Sequence, residues 1–205
     1  MRQFFRLATF LLLMLPAALL WADGLPPIET LNSESDQTNW EHAVSETIII
    51  EAPLEMVWDY ISDSTSAKEW SVFFDHISPL PGVQDGEVGS LRRCYRNANE
   101  KGFTWDEVTT AIEFQKMRQI TTFRVRSRPW GFTTKDGYVF VRQLYKKIDE
   151  NRTELTFQTV SPAQAQWLHR QIFNLSRKET RRIFQKNLIN IKAVLEGHLR
   201  VFLWE

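Results

Sequence analysis

The residues of this chain that could carry acid–base or nucleophilic chemistry are few and scattered. Glu107 lies beside two aromatic residues on one face of a predicted strand, where it is either a buried acid or an exposed cross-strand partner for an arginine. Asp75 and His76 could form a dyad, although such a pair is also typical of a protein surface. The lone Cys94 has no basic partner in any motif, so we expect a free thiol without catalytic work. The sequence therefore names no catalytic residue.

Sequence signals for metals and cofactors are equally lacking. No two histidines stand at a metal-ligand spacing such as H-x-x-x-H, and one cysteine cannot form a thiolate cluster. The chain contains no G-x-S-x-G elbow, P-loop or G-x-G-x-x-G. We expect neither a metal nor a cofactor.

Binding chemistry has better support, because the chain holds eight Trp and fourteen Phe. That aromatic area could fill a core or line an apolar pocket. Arg92 and Cys94 share one face of a predicted strand, and Leu91 and Tyr95 share the other. Apolar content favours the Leu91 face as the buried one. Apolar content alone does not settle the direction of the strand, so an inward Arg92 stays open. An inward Arg92 would need a carboxylate partner or an anionic ligand group.

Hydrophobic periodicity gives the elements that would position these residues. A β-branched stretch at 47–50 predicts a first strand, and Ala52-Pro53 then predicts the start of a short helix, followed by a second one up to Trp70. Polar–apolar alternation predicts an antiparallel sheet with one buried face and one solvated face. Its strands cover 90–96, 103–114, 119–127, 137–148 and 153–160.

The C-terminal part predicts two helices that pack on the sheet. Capping boxes at Ser161 and Ser176 indicate a shorter helix over about 162–174 and a longer one over about 177–198. Apolar residues recur at spacings of three and four along the longer helix, at Phe184, Leu188, Ile191, Leu195 and Leu199. The buried face of the sheet is the surface on which this stripe would pack.

The N-terminal region has the order of an export signal. Residues 1–22 combine Arg2 and Arg6 with an apolar stretch and a small residue before Asp23, which predicts a secretory signal peptide, or an anchor if it stays uncleaved. A polar linker is predicted over 23–42 and a single domain over 43–200. We therefore expect a periplasmic or secreted protein.

Charge argues against a nucleic-acid partner. The sequence has 25 basic and 25 acidic residues, and removing 1–22 takes away two basic ones. No long basic run remains to mark a nucleic-acid surface.

As for its oligomeric state, we expect the protein to be a monomer.

Several motifs in order resemble the START-like polyketide cyclase (SRPBCC) superfamily. The run IIIEAPLEMVWDYISD from Ile48 to Asp63 resembles its opening, and AKEW at 67–70 resembles its second helix. Further matches are Gly86–Arg93, Glu107-Val108, KDGYV at 135–139 and the segment 161–196. The resemblance covers 45–197 and implies an α+β helix-grip (START/Bet v 1-like) fold, a curved antiparallel sheet wrapped around a long C-terminal helix.

This resemblance implies binding or transport of a hydrophobic small molecule, such as a lipid, isoprenoid or aromatic compound. The polar turns at Ser176 and Thr180 predict that one half of the helix leaves room for a ligand. The predicted ligand-binding residues are Trp70, Arg92, Trp105, Phe123, Tyr138, Phe140, Phe157 and Arg177.

Two other functions stay open at this point. A cyclase-type or dehydratase-type enzyme would use the same cavity with Glu107, Arg92 and His76, and an accessory module would bind another protein through its loops. The loop Trp130-Gly131-Phe132 could cover an opening or make transient contact with a membrane.

Overall fold

A computed structural model describes residues 27–127, 132–134, 139–161 and 167–197. Four α-helices and eight strands occur in them, with 3₁₀ turns at Trp40–His42 and Ser64–Ser66. The helices are α1 (Ile28–Asp36), α2 (Leu54–Ser62), α3 (Ala67–Trp70) and α4 (Trp167–Leu195). The strands are β1 (Val44–Ile50), β2 (His76–Pro79), β3 (Leu91–Tyr95), β4 (Thr104–Glu113), β5 (Met117–Ser127), β6 (Phe132–Thr134), β7 (Val139–Asp149) and β8 (Arg152–Val160).

The strands form one antiparallel sheet in the order β1-β8-β7-β5-β4-β3-β2, with β6 paired to β5. Two irregularities interrupt the β4–β5 ladder, one at Asp106/Glu107 and one at Thr109/Ala111. Extra residues of this kind bend a strand and increase its twist, which curves the sheet. The long α4 packs on the concave side, so the predicted α+β helix-grip fold is confirmed. We call the side that faces α4 the inner face and the opposite side the outer face.

The position of α4 follows from its contacts with β1. Arg177 Nη1 donates to the His42 carbonyl at 2.8 Å, Gln185 Nε2 to Glu46 at 3.0 Å, and Lys192 Nζ to the Ile49 carbonyl at 2.7 Å. The helix and the strand therefore run in the same direction. Residues of α4 before Arg177 extend beyond the start of β1.

The C-terminal half of α4 closes one end of the inner face. Leu188 and Ile191 are buried there against Ile50, Leu155 and Trp58. The α2 helix supplies the cover, because its buried residues recur at helical spacing, namely Leu54, Val57, Trp58 and Ile61. This end is a close-packed core.

The predicted break within the C-terminal helical region is wrong, since α4 continues without interruption through Ser176. The Ser176 hydroxyl donates back to the Phe173 carbonyl at 2.8 Å and does not cap a new helix. A serine inside a helix commonly makes this backward bond to a preceding turn. The capping-box sequence at Ser176 is compatible with a helix start, but in the structure Ser176 lies inside a continuous helix.

The described part of the predicted linker over 23–42 contains a helix. Residues 28–36 form α1, which lies on the outer face and buries Leu31 completely against Val108 and Phe123. Asn32 Nδ2 donates to the Thr110 carbonyl at 3.0 Å. The helix forms here because the outer face carries apolar side chains that need cover, whereas α1 itself contributes little apolar area. Both faces of the central strands are consequently buried.

Trp40 adds a second attachment of this segment. Its ring lies under the Arg142 guanidinium at 3.8 Å, and Arg142 Nε donates to Gln119 at 2.8 Å. The Ser35 hydroxyl donates to the same Gln119 oxygen at 2.6 Å. Segment 28–42 is therefore part of the folded unit. Within the described residues no helix is long and apolar enough to cross a membrane.

Replacing Leu31 by Ala should lower the free energy of unfolding by about 2–4 kcal/mol, because a fully buried leucine leaves a cavity between α1 and the sheet. Urea denaturation measures the change. Thr30→Ala, at an exposed position on the same helix, is the control and should change stability by less than about 0.5 kcal/mol. Equal stability of the Leu31→Ala variant and the wild type would show that α1 is not packed on the sheet.

Candidate functional site

The register of β3 decides which of its side chains meet α4. Arg92 pairs with Glu107 and Cys94 pairs with Trp105, and paired residues in an antiparallel ladder point to the same side. Cys94 and Trp105 belong to the core under α4, so Arg92 and Glu107 face inward too. Leu91 faces outward and packs with the Leu31 cluster. Apolar content predicted the wrong inner face of β3, because the outer face is also apolar where α1 covers it.

Arg92 and Glu107 form a buried ion pair on the inner face. Arg92 Nε lies 2.8 Å from Glu107 Oε2, and their side chains are 9% and 8% exposed. The Trp105 indole N–H donates to the other carboxylate oxygen at 2.7 Å. Glu107 is therefore both a buried acid and the cross-strand partner of an arginine. Both carboxylate oxygens of Glu107 already accept hydrogen bonds, which favours a positioning role for this side chain over proton transfer.

Cys94 lies beside this pair in a desolvated position. Burial raises the pKa of its thiol well above the usual value, and the Glu107 carboxylate adds to the shift. A thiol of this kind is a small apolar core residue and a poor nucleophile.

Cys94 in the folded protein should therefore react very slowly with dithionitrobenzoate at pH 8 and rapidly after unfolding in guanidinium. Cys94→Ala should keep the fold at a cost of about 1–2 kcal/mol. Fast labelling of the native protein would contradict the buried position.

Exposure along the sheet changes from one end of the inner face to the other. On β5, Arg118 and Ile120 are buried but Thr122 is half-buried. On β7, Gln143 is buried while Val141 is half-buried. The inner face thus opens toward the end where β5 finishes and β7 begins.

The helix shows the same gradient. Leu188 and Ile191 are buried, whereas Phe173, Thr180 and Phe184, nearer the N-terminus of α4, are half-buried. The open end of the sheet and the loosely packed half of the helix coincide. This end is the candidate ligand site.

Aromatic rings surround the open end in two groups. Trp105 has Phe74 at 4.3 Å, Phe73 at 5.2 Å and Phe103 at 5.4 Å between ring centroids. The second group is formed by Phe157, whose ring centroid lies 6.1 Å from Trp70 and 5.7 Å from Phe184. These distances are those of favourable edge-to-face and tilted contacts. The rings offer an apolar ligand two walls.

Among the residues that the structure describes, three buried polar atoms have no hydrogen-bond partner. They are Thr159 Oγ1, Ser161 Oγ and Arg118 Nε. Thr159 pairs with Val44 and Val141, which places it on the inner face near the open end. Buried polar atoms in native proteins are nearly always satisfied by protein, water or a ligand. The unsatisfied atoms therefore mark places where a bound molecule can donate or accept.

The structure brings together half of the predicted site residues. Trp70, Arg92, Trp105 and Phe157 belong to the inner-face cluster or adjoin it. Arg177 lies at the open end, where its guanidinium is committed to the His42 carbonyl. Tyr138 lies outside the described residues.

Phe123 and Phe140 do not face α4, contrary to the prediction. Thr122 pairs with Glu107 and Arg124 with Asp106, so Phe123 is the extra residue of a bulge and packs on Leu31 and Val108. Phe140 pairs with Thr121, on the same side of β7 as Arg142, which contacts α1. Both phenylalanines are buried on the outer face.

Of the three residues of the enzyme alternative, Arg92 and Glu107 are paired, but His76 is not brought to them. His76 pairs with Tyr95, stacks on its ring at 4.7 Å between centroids, and contacts Asp75 at 2.9 Å. Tyr95 alternates with Cys94 and lies on the outer side of β3. His76 therefore points away from Glu107.

The remaining surface of the described residues offers no better ligand or metal site. A shallow depression of about 390 Å³ lies on the exposed side of α1, with a polar lining. Within the described ranges no group of three or more His, Cys, Asp or Glu residues could hold a metal ion.

Comparison with known proteins supports the fold. The family model "Polyketide cyclase / dehydrase and lipid transport" matches residues 41–196, and no curated protein matches the chain. α1 precedes the matched region, so this cover of the outer face lies outside the family model.

Solved structures share the fold at low sequence identity. A protein from Arthrobacter aurescens has a TM-score of 0.58 at 15% identity, covering 80% of this chain and 91% of its own. A START superfamily protein from Mycobacterium smegmatis has a TM-score of 0.56 at 12% identity, covering 76% and 98%. Norcoclaurine synthase from Thalictrum flavum has a TM-score of 0.52 at 10% identity, covering 76% and 94%. With the family model matched over most of its length, the chain belongs to the polyketide cyclase/dehydrase and lipid-transport family, within the START-like superfamily.

Proposed function

We propose that this protein binds a hydrophobic small molecule between α4 and the inner face of the sheet and carries it without chemical change. The observation that carries the proposal is the pairing of aromatic walls with buried, unsatisfied polar atoms on the same face. Apolar walls supply affinity at about 25 cal/mol for each square ångström removed from water. A few polar groups then fix the orientation of the ligand.

Membership of a family described by both cyclase/dehydrase activity and lipid transport is compatible with carriage or catalysis. Among the described residues, the candidate acid Glu107 has both oxygens engaged and His76 lies on the other face. Carriage therefore has the better support.

The test is native mass spectrometry of protein purified from its source, followed by extraction and identification of any bound compound. Carriage predicts one unmodified apolar molecule per chain, released on denaturation. A folded protein that never carries such a molecule and binds none of a panel of lipids, isoprenoids and aromatic compounds would refute the proposal.

We propose export to the periplasm or the exterior as the setting for this function. The support is the order of residues 1–22, because an aqueous compartment between membranes needs carriers for apolar compounds. N-terminal sequencing of the exported form should begin near Asp23. Recovery of Met1 in a membrane fraction would indicate an anchor instead.

A transient contact with the membrane is proposed for delivery or uptake of the ligand. The loop at 128–131 lies outside the described residues, but α4 offers support of its own. Trp167 is 68% exposed and Leu175 is 85% exposed, and Arg170 and Lys178 are exposed nearby on the same helix. Exposed aromatic and aliphatic side chains with cations suit the surface of an anionic bilayer. Trp167→Ala should weaken flotation of the protein with phosphatidylglycerol vesicles, and an unchanged result would refute the contact.

A further inference from the structure

The inner face carries a buried cation, Arg118, for which the described ranges supply no carboxylate partner. Arg118 is 1% exposed, and its guanidinium makes only long contacts. Its Nη1 lies 3.4 Å from the Ile61 carbonyl and 3.3 Å from the Ser62 carbonyl, and its Nη2 lies 3.3 Å from Thr109 Oγ1. The Nε–H has no hydrogen-bond partner within the described part of the chain. A buried arginine normally has a paired anion, because desolvating a charge is costly.

Nearby acids within the described residues are already committed. Glu107 accepts from Arg92 and from the Trp105 indole. Asp85 accepts from the backbone and the hydroxyl of Ser64. The described part of the chain shows no ion pair for Arg118. Two guanidiniums therefore share this region with one fully buried carboxylate.

The electrostatic setting agrees with a missing anion. Burial, with a smaller contribution from the neighbouring Arg92 charge, lowers the pKa of Arg118 to about 10, and Tyr145, Asp85 and Glu107 oppose this shift only in part. An anion placed at the guanidinium would relieve both effects.

The C-terminal carbonyls of α2 explain part of the arrangement but not all of it. A cation near a helix C-terminus is favourable, and Nη1 serves that role at Ile61 and Ser62. This leaves the Nε–H, which with one Nη–H forms the edge that arginine uses to hold a carboxylate with two hydrogen bonds. Capping therefore accounts for one edge of the guanidinium and leaves another without a partner.

We propose that Arg118 receives the acidic head group of the bound ligand, so that the ligand class is an elongated apolar acid. This inference rests on the proposed function and specifies its ligand. Thr122 at the open end lies four positions after Arg118 on β5, a distance of about 13 Å along a strand. The apolar body of the ligand lies along this distance between the aromatic walls, and the head group lies deep in the fold beside α2.

Two probes that differ by one acidic group test the inference. N-phenyl-1-naphthylamine is a neutral aryl amine, and 1-anilinonaphthalene-8-sulfonate is the same framework with a sulfonate, which stands in for the ligand's acid. Titrations with the full exported chain give both dissociation constants for the wild type and for Arg118→Gln. We expect Arg118→Gln to weaken the sulfonate probe at least tenfold and the neutral probe less than twofold. Arg142→Gln, on the outer face, is the matched control and should change neither.

If Arg118→Gln changes the dissociation constants of both probes by the same factor, the inference is overturned while the proposed function stays intact. Failure of the wild type to bind either probe would refute the proposed function itself.

A wild-type measurement covers the case in which the variant does not fold. The Arg Nε–H region of a ¹H–¹⁵N spectrum should show one protected resonance that moves with the sulfonate probe and not with the neutral probe. The absence of any such movement at saturation would overturn the role of Arg118.

Discussion

Replacing Thr159 by Trp should abolish binding of N-phenyl-1-naphthylamine while the domain stays folded. Thr159 faces α4 near the open end, close in sequence to Phe157, and its hydroxyl has no partner. An indole at this position would occupy the space between the aromatic walls that the probe needs. We expect affinity to fall from a micromolar dissociation constant, about −8 kcal/mol, to below detection.

Gln158→Trp is the matched control, because this neighbouring residue points to the outer face, where it contacts Ser45. The control should bind the probe as the wild type does, and circular dichroism should show both variants folded. If Thr159→Trp proves unstable, Thr122→Trp on the adjacent inner surface provides the same block at a half-buried position. Wild-type affinity in a folded Thr159→Trp protein would mean that the probe does not bind at this site.

Replacing Glu107 by Gln should lower the free energy of unfolding by about 3–5 kcal/mol. The substitution keeps the shape but leaves the Arg92 guanidinium buried without its counter-charge. Removing one member of a buried pair costs far more than the pair contributes, because the remaining charge stays desolvated. Urea denaturation with a constant m-value is the measurement.

Two variants control for this interpretation. Glu113→Gln breaks the exposed pair with Lys116 and should produce no measurable change. Arg92→Met combined with Glu107→Leu should recover most of the stability, because an apolar pair of similar volume needs no desolvation. A Glu107→Gln variant as stable as the wild type would show that the pair is not buried as described.

The sequence was sufficient for the architecture because its periodicities are strong. Alternation over 153–160 predicted β8 with its bounds nearly correct, and the stripe from Phe184 to Leu195 predicted the helix that packs on the sheet. The motif from Ile48 to Asp63 placed these elements in a known family. These signals are local, and each agrees with the global fold.

The site was only partly predictable, for identifiable physical reasons. The bulge opposite Asp106/Glu107 shifts the alternation of β5, so Phe123 points away from α4 although simple parity places it inward. Arg118 falls between the predicted strands 103–114 and 119–127, yet β5 begins at Met117 and carries Arg118 inward. α1 was missed because a single fully buried leucine gives no periodic signal.

Direct titration of the wild-type protein with N-phenyl-1-naphthylamine tests the central proposal of a ligand site between α4 and the sheet. We expect saturable fluorescence enhancement with one probe per chain, a dissociation constant of about 1 µM and competition by apolar acids. A folded protein that gives no saturable signal would contradict the proposal, and the aromatic residues would then be core alone.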